Sequence, residues 1–353
     1  MAIVADQYDF IIGVDTHAAS HTLALITADT GAVGQHAQFP TSPAGLRRAA
    51  GWIQRHTGDA PALIVIDGAG SYGTVFTKQL IAAGLVVTEA PDVAAISRRG
   101  RGKNDALDAV AMAQAARGLD VNQLRWPRTT GANPILRVLT VAREQMSGER
   151  TRAINALTAL LRTVDLDVDA RRALTTTTIT TIAAWRTRGE DPTLTVCRTE
   201  AIRLARRIRA LNTELAANHA ALQATVSQQA PQLLDLPGVG PVVAATVLLA
   251  WSHPGRIRSE AAFAALAGTS PLPASSGNTT RHRLNRGGDR RLNQALYTVA
   301  LVRMGHDSRT RDYVARRTAE GRTKREVMRN LKRYISRQLF RTLNSAQPAT
   351  STT

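Results

Sequence analysis

The chain has 353 residues, 45 of them Lys or Arg against 27 Asp or Glu, giving a net charge of +18 at neutral pH. That length can bury more than one core. A charge this lopsided calls for a polyanionic partner, nucleic acid first, and the lone Cys197 excludes an internal disulfide or a cysteine zinc site.

No apolar run approaches the ~18 residues of a membrane span, and the opening MAIVADQYDF lacks the basic and apolar regions of a signal peptide. A cytoplasmic, nucleoid-associated bacterial protein with no membrane partner is expected. Only four of the basic residues are lysines, leaving 41 arginines, whose planar fork grips phosphate bidentately. The same bias also follows from a GC-rich genome.

In chain order, Tyr8 to Asp15 reads as a buried strand, His21 to Ala28 as a second and Gly34 to Phe39 as a third after the turn Asp29-Thr30-Gly31. Ser42 ahead of Pro43 is an N-cap for a helix to about His56. Ala62 to Asp67 (ALIVID) has the continuous apolar character of a central strand, followed by the turn GAGSYG, a helix over about 74–83 and a fifth strand at Leu85 to Thr88. Three strands, helix, strand, helix, strand, helix is the order of the ribonuclease H superfamily.

From Asn133 to about Gln229 the pattern is helical. Leu204, Ile208, Leu211, Leu215, Leu222 and Val226 form a near-heptad seam with polar His219 on it, and the threonines of 175–181 read as a connection. Near Leu233 a third unit begins. LDLPGVGPVVAATVLLAW has the look of a helix-hairpin-helix element, with Gly238 and Gly240 exposing backbone N–H groups to phosphate; an ordinary glycine hairpin between packed helices is the plainer alternative. Basic helices follow to about Leu343, and residues 281–341 hold 18 Arg or Lys against five acids, a concentration suited to a DNA-binding face.

Four acids stand out by position. Asp15 ends the first strand and Asp67 the fourth, neighbours in the expected sheet, while Asp105 and Asp108 in KNDALDAV open a helix at i and i+3, on one face about 5 to 6 Å apart. Such a cluster would hold one or two Mg²⁺ ions, which clamp the attacking and leaving oxygens of a phosphodiester. Singly, each Asp is more often a turn former or a helix-dipole partner; together they agree with the strand order.

GVDTH, DGAGSYG, GRGKNDALDAVAMAQ, LPGVGPVVAATVLLA and SSGNTTRHRLNRGGDRRLNQAL, in that order, resemble the IS110 insertion-sequence transposases, also called the DEDD transposases. The resemblance runs from about Phe10 to the basic tail. It implies a RuvC-like catalytic domain over 1–125, a helical coiled-coil region over 133–230, a mainly α C-terminal domain over 231–345 and a disordered tail at 346–353. Asp15, Asp67, Asp105 and Asp108 take the DEDD positions, although Asp67 stands where the family usually has Glu.

The resemblance further implies a catalytic serine before a glycine, here Ser276 before Gly277 with Ser275 as its neighbouring alternative. Arg281, His282, Arg283 and Arg286 would surround the developing charge at phosphorus. Gly277 leaves room for a DNA backbone, and Arg290 and Arg291 open the next helix behind the N-cap Asp289. By pattern alone, Ser-Ser-Gly is a flexible loop. Resemblance also implies that metal-bound acids and the serine meet in a composite site, that the protein works as a homodimer or homotetramer on donor and target DNA, and that a structured non-coding bridge RNA guides it. Two other classes stay open: a RuvC-like junction nuclease that uses the acids without the serine, and a non-catalytic nucleic-acid-binding derivative.

Overall fold

The computed structural model describes residues 2–91, 104–127, 133–187, 189–273, 282–283, 285 and 287–345. Two compact units divide the chain, Met1–Gly131 and Ala132–Thr353.

In the first unit a four-residue helix, α1 (Val4–Gln7), precedes β1 (Phe10–Thr16), β2 (Ser20–Thr27) and β3 (Val33–Pro40). Then come α2 (Pro43–Thr57), β4 (Ala62–Ile66), α3 (Thr74–Ala82), β5 (Val86–Glu89) and α4 (Asp105–Arg117). The strands form one mixed sheet in the order β3-β2-β1-β4-β5. β1, β2 and β3 pair antiparallel, while β4 runs parallel to both β1 and β5.

Both faces of this sheet are covered, which explains why its central strands read as unbroken apolar runs. Ile12, Val14, Leu23, Ile64 and Ile66 pack with Leu46, Trp52 and Ile53 of α2 and Phe76 and Leu80 of α3. Ile11, Ala24, Ile26, Leu63 and Val65 pack with Ala109, Met112, Ala113 and Ala116 of α4. The expected N-cap is present: Ser42 Oγ accepts from the Gly45 N–H at 3.2 Å and Pro43 follows it. Helix α1 had no advance signal, being too short for periodicity to show.

The second unit is mostly helical: α5 (Asn133–Thr163), α6 (Thr176–Ala183), α7 (Pro192–Gln229), α8 (Pro241–Trp251), α9 (Glu260–Leu266), α10 (Arg290–His306), α11 (Ser308–Ala319) and α12 (Lys324–Ser345), with a small hairpin of β6 (Leu272–Pro273) and β7 (His282–Arg283). Two expectations change here. The threonine-rich stretch is a helix, α6, capped by Thr175 Oγ1 accepting from the Thr178 N–H at 3.1 Å and held by burial of Ile179, Ile182 and Ala183. Packing of three apolar residues outweighs weak threonine propensity.

The polar member of the α7 seam is Asn218, not His219. Asn218 is 7 % exposed and donates from Nδ2 to the Leu139 carbonyl at 2.9 Å, whereas His219 is exposed. Three residues from Leu215 and four from Leu222 returns a side chain to the same helix face. At the start of α7 the buried Arg198 holds Glu190 from Nε at 2.7 Å, with its guanidinium 4.9 Å from the Trp185 ring centre. Among the described residues no helix is long and apolar enough to cross a membrane.

Candidate active site

Strand alternation decides which way Asp15 faces. Ile11, Gly13 and Asp15 share one side of β1, the side on which Ile11 packs against α4. The parallel register sets Ile11 opposite Leu63 and Gly13 opposite Val65. Asp15 and Asp67 continue that register, and the Asp67 N–H donates to the Val14 carbonyl at 3.0 Å. Two acids distant in sequence therefore stand at neighbouring strand ends.

Gly13 lets α4 approach. A Cβ at this position would sit 1.9 Å from the Ala109 carbonyl oxygen, so only glycine permits the helix to lie this close to the strand. Asn104 caps α4, its Oδ1 accepting from the Ala106 N–H at 3.0 Å, and Asp105 and Asp108 occupy the first turn. The contact at Gly13 and the cap at Asn104 together set Asp105 beside the end of β1.

The turn after β4 is equally constrained. Asp67 Oδ1 accepts from the Gly68 N–H at 2.8 Å, and Thr16 Oγ1 donates to the Asp67 carbonyl at 2.9 Å, tying the ends of β1 and β4 together. Gly68 has φ +58°, and a Cβ there would meet Thr16 Oγ1 at 2.9 Å and Ser71 Oγ at 2.7 Å.

His17 lies between two of the acids, its Nε2 at 3.2 Å from Asp15 Oδ2 and 3.5 Å from Asp105 Oδ1. Burial pushes the Asp15 carboxyl above its ordinary value; His17 opposes this, and the charges of Asp105, Asp108 and Asp67 add to it. One ligand atom each from Asp15, His17 and Asp105 lies within 4.8 Å of the others. Two carboxylates and an imidazole at that spacing, one of the carboxylates penalised for its charge, fit a divalent cation. Asp67 and Asp108 act on Asp15 through their charge without joining that group of three.

Two family models match the chain. A DEDD transposase model of the IS110 type matches residues 12–165, the segment holding all four acids, and a model described as transposase IS116/IS110/IS902 family matches residues 230–315. The chain belongs to the IS110/IS116/IS902 family of transposases. It is a DNA-cleaving and DNA-joining enzyme of the IS110 type.

Two relatives are similar over most of their length. The insertion element IS900 uncharacterized 42 kDa protein of Mycobacterium paratuberculosis is 29% identical over 307 residues, 73% of this chain and 76% of its own. The insertion element IS110 uncharacterized 43.6 kDa protein of Streptomyces coelicolor is 26% identical over 328 residues, 79% of this chain and 80% of its own.

In this transposase the other expected site residues fall unevenly. Gly238 has φ +75° and packs 3.1 Å, by its missing Cβ, from the Val299 carbonyl, while Gly240 caps α8 in open space. Arg290 is exposed. Arg291 pairs with Glu144 at 2.6 Å, an exposed pair of small energetic weight. Ser275, Ser276, Gly277, Arg281 and Arg286, and the side chain of Arg283, lie outside the described residues.

Sequence reasoning overlooked His17, Gly13 and Thr16. The period of two that marks Asp15 also marks His17, two residues on and so on the same face. The need for Gly13 depends on the depth of the helix–strand contact, and no spacing rule encodes that.

Proposed function

We propose that this transposase cuts and rejoins DNA with Asp15, Asp67, Asp105 and Asp108 holding Mg²⁺ in a RuvC-like domain over 1–125, and with Ser276 as the nucleophile of strand exchange in a C-terminal domain over 231–345. Residues 133–230 are its helical coiled-coil connector. The arginine-rich surface, with Gly238, Gly240, Gly277, Arg281, Arg283, Arg286, Arg290 and Arg291, grips DNA phosphates and a structured bridge RNA, and the working form is a homodimer or homotetramer.

The observation that carries this reading is the convergence of Asp15 and Asp105 on a single His17 nitrogen at 3.2 and 3.5 Å, with Asp67 at the adjoining strand end. A bound divalent ion supplies charge neutralisation at phosphorus. Asp15, mostly buried and fixed by the sheet, and Asp105, fixed by the start of α4, hold that position with little reorganisation. His17 keeps the two carboxylates oriented. Asp67, held by the Gly68 N–H, carries a side chain one methylene shorter than the family's usual Glu.

Two substitutions test the reading on purified protein with its element DNA. Asp105→Asn should abolish Mg²⁺-dependent cutting with the helical content unchanged, by about a thousand-fold or more if the ligand is essential. Ser276→Ala should stop strand joining on the same scale. Undiminished activity of Asp105→Asn would overturn the metal assignment, and recombination that survives Ser276→Ala would remove the serine and leave junction-nuclease chemistry.

A further inference from the structure

The sheet face that carries Asp15 continues past it. Asp15 pairs with Thr22 on β2, and Thr22 pairs with Gln38 on β3, so a polar row runs Asp67, Asp15, Thr22, Gln38 across four strands. Beside this row lies a cleft of about 640 Å³ lined by Thr22, His36, Gln38, Asn104 and Asp105, with the small side chains of Ala37 and Ala106.

Thr22 is only 4 % exposed, yet its hydroxyl has no hydrogen-bond partner in the structure. A buried hydroxyl left unpaired costs about 1 to 3 kcal/mol, which an occupant of the cleft would relieve. Two amides are half used. Gln38 donates from Nε2 to Ser20 Oγ at 3.0 Å, leaving its carbonyl oxygen; Asn104 spends Oδ1 on the Ala106 N–H, leaving its NH₂.

Among the described residues lining the cleft none is Lys or Arg, and the first turn of α4 bears two acids. Two amides, a hydroxyl and an imidazole line the cleft, and these groups suit the donor and acceptor edge of a base. The row from Asp15 to Gln38 spans two strand spacings, about 10 Å. That is the scale of one nucleotide, well short of the roughly 34 Å of a duplex turn.

We propose that this cleft seats the base of the DNA nucleotide next to the phosphate being cut, held by Gln38, His36, Asn104 and Thr22. The proposal rests on the carboxylate site holding the cut phosphate, and it adds a specificity pocket to that site. It makes cutting depend on the identity of one flanking base, independently of the arginine surface.

The test uses the full-length protein and a series of element DNA strands in which each nucleotide around the cut is made abasic in turn. Binding is read by fluorescence anisotropy, with Ca²⁺ in place of Mg²⁺ to suppress cutting. Wild type should lose about tenfold in affinity at one abasic position. Gln38→Ala, at an exposed site that tolerates truncation, should lose the same on intact DNA and nothing further at that position, with its salt dependence unchanged. His36→Ala should show the same pattern more weakly.

Wild-type affinity for every strand in both variants would overturn the pocket, as would losses that simply add at all positions, or a pattern seen with RNA strands and not with DNA. Failure of the carboxylate reading is seen separately, as absence of divalent-ion binding by wild type. The abasic pattern does not depend on that measurement.

Discussion

The two units handle charge in opposite ways. In the first, a few acids gain their effect from position: Asp15 is 8 % exposed, fixed between two paired strands, and shares a 4.8 Å space with His17 and Asp105. In the second, residues 281–341 carry 18 cations against five acids, and Arg309, Arg311, Arg316, Arg322 and Arg325 are exposed. Position makes a site that one substitution destroys, whereas summed charge makes a surface that one substitution barely dents.

The steepest contrast is in activity. Asp15→Asn should reduce DNA cutting by about a thousand-fold or more, while Arg311→Gln should change it less than threefold; comparable losses in both would erase the distinction. Next in size is the exception inside the second unit, the buried Arg198–Glu190 pair. Glu190→Ala leaves a buried guanidinium uncompensated and should lower unfolding free energy by about 3 to 5 kcal/mol, measured by urea denaturation. A loss under 1 kcal/mol would show that Arg198 finds solvent.

Gly13→Ala comes third. The new methyl meets the Ala109 carbonyl at 1.9 Å, so α4 must shift, at a cost of about 1 to 3 kcal/mol. Because α4 carries Asp105, cutting should fall more than stability alone explains, and an active, fully stable Gly13→Ala would refute the close approach.

Much of this contrast was legible in the sequence. ALIVID at 62–67 and FIIGVD at 10–15 could be placed as central strands because continuous apolar runs demand burial on both faces, and their terminal acids followed. Long helices such as α7 announced themselves by periodicity, and the basic tail by counting. The unreadable part depended on contacts between elements: helix α6 exists because Ile179 and Ile182 find a core, Asn218 rather than His219 faces α5, and His17 matters only because α4 brings Asp105 to it.

Smaller effects refine the comparison. The tail should act through its sum, so the triple change of Arg309, Arg311 and Arg316 to Gln should lower the log–log salt slope of DNA binding by about 0.9 for each phosphate that is no longer neutralised. A slope unmoved by the triple change would place the nucleic-acid surface elsewhere.

The gentlest effect is on pH. Burial, with the charges of Asp105, Asp108 and Asp67 against the opposing His17, raises the Asp15 carboxyl in the folded state. Its contribution to stability is therefore complete below the ordinary carboxylate value and is lost as pH rises through the raised one. In chelator-treated protein, the difference in melting temperature between Asp15→Asn and wild type should grow in favour of the variant over that rise. A difference that stays flat with pH would mean that Asp15 ionises freely.

The most direct measurement is Mn²⁺ binding followed by electron paramagnetic resonance in wild type, Asp15→Asn and Asp105→Asn. Bound manganese in wild type that is lost in both variants is the expected result. Equal binding in all three proteins would contradict the carboxylate site at its root.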